Sequence, residues 1–368
     1  MSTDGNTNSK VPQLEDDAVK IGWRAPANIA LIKYWGKRSN QLPENGSLSI
    51  SLEHSATTTY LSYLKNGNAA EERGMQYYFH GQRHPEFEKK MVQLLNQLQS
   101  EMPFLADYQL LFDSENNFPH SAGIASSASS MAALALCLTS MEERIASTKL
   151  SKKAFFVRAS GIARLGSGSA SRSVYGGIVS WGECPAIDNS SDYYATQFPL
   201  QKRNRLNQVR DIILVVNSSK KKVSSSAGHA RMADHPYRKV RKHQANSNLT
   251  KIIEAISSES YRLIAEIAEN EALSLHALLM TSVPYGLLLQ PNTLHIVAEI
   301  REFRESTGLD IFFTIDAGPN VHLIYYEDQR EKVVQFVKEK LIRYCENQQW
   351  IDDKMGTGPR LLTPETDF

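Results

Sequence analysis

The sequence predicts an α+β protein built as two domains. Three observations carry this prediction. Strand-like and helix-like segments are mixed along the chain without a regular βαβ rhythm, which favours α+β over a doubly wound sheet. The length of 368 residues is too great for one small core and suits two domains. A polar stretch over residues 182–210, with Pro185 and Asn189-Ser-Ser191, separates two sets of elements. The expected division is therefore a tail over residues 1–20, one domain over 21–200 and a second over 201–368.

The elements follow in order. Ile21-Gly-Trp-Arg-Ala-Pro26 opens the folded part. Residues 47–52 and 57–63 alternate and are rich in β-branched or aromatic types, as two strands would be. Residues 87–102 place Met91, Leu94, Leu95 and Leu98 at helical spacing. Residues 108–112 read as a strand that feeds a loop, and the loop runs into the helix former Met131-Ala-Ala-Leu-Ala-Leu-Cys-Leu138. A helix is expected over 152–165 and a strand over 176–181. In the second domain, 211–217 is a strand and 249–279 carries helical patterns. Residues 310–316 and 320–326 are strands around an Ala-Gly-Pro turn, and 332–344 is an amphipathic helix.

Composition narrows the function. Hydrophobic residues make up 41% and charged residues 22%, as in an ordinary soluble globular protein. A net charge of +1 argues against a nucleic-acid or membrane role for the whole chain. Cys137, Cys184 and Cys345 are odd in number and widely spaced, so neither a disulfide framework nor a zinc site is expected, and a reducing compartment is. No apolar run approaches the roughly 20 residues that span a bilayer. Residues 1–20 are polar, without the apolar core of a signal peptide, and are expected to be a disordered tail.

Five segments carry candidate chemistry. Asn117-Phe-Pro-His-Ser-Ala-Gly-Ile-Ala-Ser-Ser-Ala-Ser-Ser130 packs small and hydroxylated residues around Gly123 ahead of a helix. Small residues let backbone N–H groups approach a ligand, and a helix N-terminus favours an anion, typically phosphate. It is not a Walker A loop, and read alone it is equally a plain Ser/Ala-rich helix start. Arg164-Leu-Gly-Ser-Gly-Ser-Ala-Ser-Arg-Ser173 offers hydroxyls and the planar fork of Arg172, or else a flexible turn. Ala25-Pro-Ala-Asn-Ile-Ala-Leu-Ile-Lys-Tyr-Trp-Gly-Lys-Arg38 interleaves Lys33, Lys37 and Arg38 with Tyr34 and Trp35. It is a cationic pocket with aromatic walls, or an amphipathic surface segment. Asp316, in Thr314-Ile-Asp-Ala-Gly-Pro-Asn320, is a carboxylate held to accept a proton, or a turn former. Residues 217–246 hold eight Lys/Arg against one acid and read as a solvated basic face or one rim of an anion site. His229, His235 and His243 in that segment read as surface or structural.

Together these segments resemble the diphosphomevalonate decarboxylases, a branch of the small-molecule kinase superfamily that includes galactokinase, homoserine kinase, mevalonate kinase and phosphomevalonate kinase. The phosphate loop Pro119-x-x-x-Gly123-x-x-Ser126-Ser-Ala128 is shared across that superfamily. The segments that discriminate are Pro26 to Arg38, Asn116-Asn-Phe-Pro119, Gly166-Ser-Gly-Ser-Ala-x-Arg172-Ser and Asp316-Ala-Gly-Pro-Asn320. The match runs over about residues 21–359, in the family's order. Three departures stand out. Ser171 replaces a usual Cys, His120-Ser121 a usual Thr-Ala, and His229 a usual Met.

The resemblance implies a two-domain fold of the kind shared by these kinases. The first domain would be like domain 2 of ribosomal protein S5 and the second a ferredoxin-like α/β sandwich, with the active site in the cleft between. It implies ATP with Mg2+, mevalonate 5-diphosphate as substrate and isopentenyl diphosphate as product, in isoprenoid biosynthesis. It implies a cytoplasmic homodimer that uses no nucleic acid and no membrane. Asp316 would orient or deprotonate the 3-hydroxyl, Lys33 would face the transferred phosphoryl group, and Arg172 would grip the carboxylate. Ser127 would hold ATP phosphates together with Asn117, Pro119, Ser121, Ala122, Gly123, Ala125 and Ser126. Ala27, Asn28, Tyr34, Trp35, Lys37, Ser167, Ser169 and Ser224 would position the substrate. No metal is assigned to direct ligation by protein side chains. Rival readings are a phosphomevalonate decarboxylase, a mevalonate 3-kinase and, from another class, a non-catalytic nucleotide- or nucleic-acid-binding protein.

Overall fold

A computed structural model describes residues 11–14, 17–66, 74–118, 126–219 and 225–362. Among them, two sheets form. The first takes β1 (Val19–Ile32), β2 (Ser47–Lys65), β3 (Met75–Phe79), β4 (Gln82–Arg83), β5 (Tyr108–Asn116), β6 (Ile178–Trp181) and β7 (Ala195–Phe198). The second takes β8 (Val209–Leu214), β9 (Phe312–Thr314), β10 (Val321–Tyr326) and β11 (Trp350–Lys354), in the order β11-β8-β10-β9. The chain then returns to the first sheet, where β12 (Arg360–Leu361) pairs with β1. The first sheet reads β12-β1-β2-β5-β3-β4, with β6 on β2 and β7 on β6. All pairings are antiparallel except β3 with β5. The α+β expectation is met, and β1 begins at Val19, two residues ahead of the boundary read at Ile21.

The two strands expected at 47–52 and 57–63 are one strand of 19 residues. Between them the register jumps, from Pro26 opposite Ala56 to Asn28 opposite Ser51. The residues bulged out of the ladder find another acceptor. The buried Asp353 carboxylate takes N–H groups from Glu53 (3.1 Å), His54 (2.8 Å) and Ser55 (2.7 Å). This satisfies donors the bulge would leave orphaned and ties the second sheet to the first.

The helices are α1 (Pro85–Leu98), α2 (Ser126–Ala146), α3 (Lys152–Gly166), α4 (Ser225–Ala230), α5 (Arg238–Ser257), α6 (Tyr261–Thr281), α7 (Pro291–Thr307) and α8 (Arg330–Phe336). Helix α1 starts at Pro85 because His84 caps it, accepting the Phe87 N–H at 3.2 Å. Helix α2 is buried nearly all round, as its Ala- and Leu-rich sequence requires, between the first sheet and α3. The helical pattern over 249–279 resolves into α5 and α6, broken at residues 258–260. The expected 332–344 helix starts as α8, then loosens into a π turn and a 3-10 turn. Helix α7 and strand β11 had no clear sequence signal.

Three cores result. One lies between the first sheet and α1–α3. A second joins the halves, packing Ile29, Leu31, Leu48 and Ile50 against Ile213, Ile252, Ile253 and Ile324. A third lies between the second sheet and α7–α8. The middle core fixes the end of β1 beside the end of β9, and the site is built there.

Candidate active site

Strand β1 brings alternate residues to opposite sides. Asn28 and Ala30 line a cavity of about 370 Å3, while Ala27, Ile29 and Leu31 enter the middle core. A register shift between Ala30 and Ile32 then breaks the alternation, so that Ile32 is in the core and Lys33 faces the cavity. Ala27, expected at the substrate, is a core residue for this reason and does not line the cavity.

Lys33 is 1% exposed. Its Nζ donates to Asp316 Oδ1 at 2.7 Å and to the Ala30 carbonyl at 2.7 Å. Asp316 follows β9 and opens a turn, with Gly318 N–H donating to its carbonyl at 2.7 Å. His276 Nε2–H donates to the same carbonyl at 3.1 Å. Burial pulls the Lys33 ammonium below its ordinary value, and Asp316 opposes that pull.

Arg172 sits in the 3-10 turn Gly168–Val174 and is 3% exposed. Its Nη1 donates to Ser47 Oγ at 2.5 Å and its Nε to Asn28 Oδ1 at 3.4 Å. Among the described residues, no carboxylate lies within ion-pair distance of it. Burial lowers the guanidinium to about 10, which still leaves it cationic at neutral pH. A buried, unpaired cation on a cavity wall is costly unless an anion visits. Ser167, Ser169, Tyr34 and Lys37 line the same cavity. Gly168 is required there, since a Cβ would stand 2.9 Å from Tyr34 Oη and 2.8 Å from the Trp181 ring. Ser171 is buried beneath the turn, donating to the Gly168 carbonyl at 2.8 Å, and does not face the cavity. Trp35 lines the cavity on one side and packs against Met232, Leu275 and Leu279 on the other.

Ser127 is exposed on the first turn of α2 and lines the cavity. Ser126 precedes it and is not on the lining. Asn117 is a tether. Its Oδ1 accepts Ala56 N–H at 2.9 Å and its Nδ2 donates to the His54 carbonyl at 2.6 Å. Pro119, His120, Ser121, Ala122, Gly123, Ala125, Lys220, Lys221, Lys222 and Ser224 lie outside the described residues.

Two sets of cavity residues escaped the sequence reading. Lys90, Gln93 and Gln97 form one face of α1 beside the apolar face of Met91, Leu94 and Leu98. Their 90, 93, 97 spacing was the available signal. His229, read as surface or structural, packs against Tyr34 and Trp35 at the cavity wall. Among the described residues, the cavity thus carries Lys33, Lys37, Lys90 and Arg172 against one carboxylate, Asp316. That imbalance suits a polyanionic ligand.

The chain is similar in sequence and fold to known proteins. Residues 25–193 match the model of the diphosphomevalonate decarboxylase-like N-terminal domain, and residues 211–362 that of the mevalonate 5-diphosphate decarboxylase C-terminal domain. The diphosphomevalonate decarboxylase of Ganoderma lucidum is 34% identical over 339 residues, covering 85% of this chain and 80% of that one. A solved complex of MDDEF with MVAPP, AMPPCP and magnesium is 28% identical, with a TM-score of 0.79, covering 94% of this chain and all (100%) of that one. A structure of the mevalonate diphosphate decarboxylase from Enterococcus faecalis, concerned with mevalonate diphosphate-mediated ATP binding, is 28% identical with a TM-score of 0.78. It covers 94% of this chain and 100% of that one.

Proposed function

The chain belongs to the diphosphomevalonate decarboxylase family, and from that premise we propose how its cavity works. The enzyme catalyses ATP-dependent decarboxylation of mevalonate 5-diphosphate. ADP, phosphate, carbon dioxide and isopentenyl diphosphate are the products. The observation that carries the assignment of roles is the buried Arg172 guanidinium, with no carboxylate at ion-pair distance among the described residues, in the same cavity as the Lys33–Asp316 pair.

Asp316 takes or orients the proton of the tertiary 3-hydroxyl. The hydroxyl oxygen then attacks the terminal phosphorus of ATP, and the bond to ADP breaks. Lys33 stabilises charge on the transferred group, a role for a fixed cation in a dry site. Arg172 holds the substrate carboxylate by its fork. In the second step the bond from carbon to carboxylate supplies the electron pair of the alkene, and the 3-phosphate leaves with the pair of its C–O bond. Tyr34, Trp35, Lys37, Asn28, Ser167, Ser169 and Ser224 position the diphosphate and chain, and Ser127 meets the ATP phosphates. The family resemblance assigns the segment 117–126 to ATP as well.

Among the described residues, no group of three or more His, Cys, Asp or Glu side chains could hold a metal. The Asp316 and Ser127 oxygens facing the cavity are hard donors that fit Mg2+ arriving with ATP. Arriving with ATP, Mg2+ would neutralise phosphate charge. The division into an ATP-binding domain over 21–200 and a second domain over 201–368 is part of this proposal. A cytoplasmic homodimer is also part of it and rests on the family resemblance alone. Among the described residues, no helix is long and apolar enough to cross a membrane.

The test is product analysis with mevalonate, its 5-monophosphate and its 5-diphosphate beside ATP. ADP and carbon dioxide should appear one for one, and only with the diphosphate. ADP without carbon dioxide, or preference for the monophosphate, would replace the reading.

A further inference from the structure

His229 is held in a way that the roles above do not use. Helix α4 sits directly on Trp35, since Gly228 has no Cβ and one would stand 2.4 Å from the ring. His229 therefore enters the cavity wall between two aromatic rings. Its ring centroid lies 4.3 Å from Tyr34 and 4.7 Å from Trp35. Its Nδ1 accepts the Gly36 N–H at 3.0 Å. That bond fixes the tautomer, leaving the proton on Nε2. Among the described residues, Nε2 has no hydrogen-bond partner, and the side chain lines the cavity. Among the described residues, the charges acting on it are Lys37 and Arg172, both cations.

We propose that His229 binds substrate, donating Nε2–H to an oxygen of the diphosphate tail and helping to set specificity for that tail. The inference rests on the reaction assigned above. Burial, then Lys37 and Arg172, push the imidazole down to about 3, so it is neutral at working pH. A neutral donor complements a phosphate without adding a further buried cation. Arg172 faces the carboxylate end in the assigned reaction, which leaves the Lys37 side, and the phosphates, to His229.

Steady-state kinetics of full-length variants test this. H229F and H229M keep bulk and remove the donor, whereas H229Q can present an amide N–H. With ATP saturating, KM for mevalonate 5-diphosphate should rise about tenfold in H229F and H229M, the loss expected of one hydrogen bond to a charged group. The kcat should change less than about threefold, KM for ATP should hold, and H229Q should restore KM to within about threefold. An unmoved KM in both H229F and H229M overturns the proposal. So does a fall in kcat and melting temperature shared by all three variants, which would make His229 structural. Wild-type turnover separates the two failures. Its absence with mevalonate 5-diphosphate defeats the assigned reaction, while its presence beside an unmoved KM defeats only the role of His229.

Discussion

Lys33 stands between two ion pairs built on different principles. Arg241 and Glu271 are 2% and 0% exposed at their side chains. They meet through two bonds of 2.7 Å each. Glu271 also accepts the Lys33 N–H at 2.9 Å and Asn248 Nδ2 at 2.8 Å. Arg241 Nη2 and Asn45 Nδ2 donate to the Lys33 carbonyl at 3.1 and 3.0 Å. The second pair is Lys33 with Asp316, joined by one bond, and Asp316 is 28% exposed toward the cavity. The sealed pair clamps both backbone polar groups of Lys33, the N–H through Glu271 and the carbonyl through Arg241. The open pair presents its carboxylate side to the cavity. A buried ion pair gains little for net stability once desolvation is counted. Its value here is placement, and the open pair can be reactive because the sealed one holds Lys33 still.

The comparison can be broken from either side. The largest effect is expected at the open pair. Asp316→Asn should cut carbon dioxide release by about 10³-fold, and Arg172→Gln by about 10²–10³-fold, with melting temperatures nearly unchanged. Near-normal turnover of Asp316→Asn would remove Asp316 as the group that handles the proton. At the sealed pair the first loss should be stability. Glu271→Ala strands Arg241 in the interior and should cost about 3–5 kcal/mol in denaturant unfolding. The double variant Arg241→Met/Glu271→Leu should regain most of that stability, yet stay roughly tenfold slower because the Lys33 peptide has lost its clamp. Full activity in the double variant would show that the pair does not position Lys33.

Acidity sharpens the contrast further. Burial holds the Lys33 ammonium below the ordinary 10.5. Rate should therefore fall on an alkaline limb below that value, as Lys33 loses its proton. Lys33→Arg should move the limb upward in a pH profile of kcat. Stability has the opposite sign. The folded state binds fewer protons at this group, so the contribution of Lys33 to stability improves as pH rises from its lowered value toward 10.5. The smallest effect is expected at Ser171. Its hydroxyl bonds the Gly168 carbonyl beneath the turn, so Ser171→Cys should cost about 1 kcal/mol or less and change kcat less than about twofold.

Much of this was legible in the chain. Strand alternation, the small residues before α2 and the Gly-Ser turn carrying Arg172 are local patterns, and local patterns survive in sequence. Lys33, Arg172 and Asp316 could be chosen by residue type and motif. Other features had no local signature. Arg241 belongs to a run of basic residues that reads as a solvated face, and only the packing of α5 against α6 reveals it as buried. His229 reads as a surface histidine until α4 is seated on Trp35. Ala27 was placed at the substrate because the motif includes it, and pleating turns it into the core.

The sequence by itself determined the α+β class, the family and the kinds of group available for chemistry, since each depends on residue type and short spacing. Which groups meet was decided by the tertiary structure. Lys33 and Asp316 are 283 residues apart, and the middle core brings β1 and β9 end to end so that they touch. One register shift in β1 turns Lys33 to the cavity, and one buried ion pair holds it there. Burial and proximity are properties of the packed chain, so the lowered pKa values of Lys33 and Arg172 exist only once the two sheets have closed on each other.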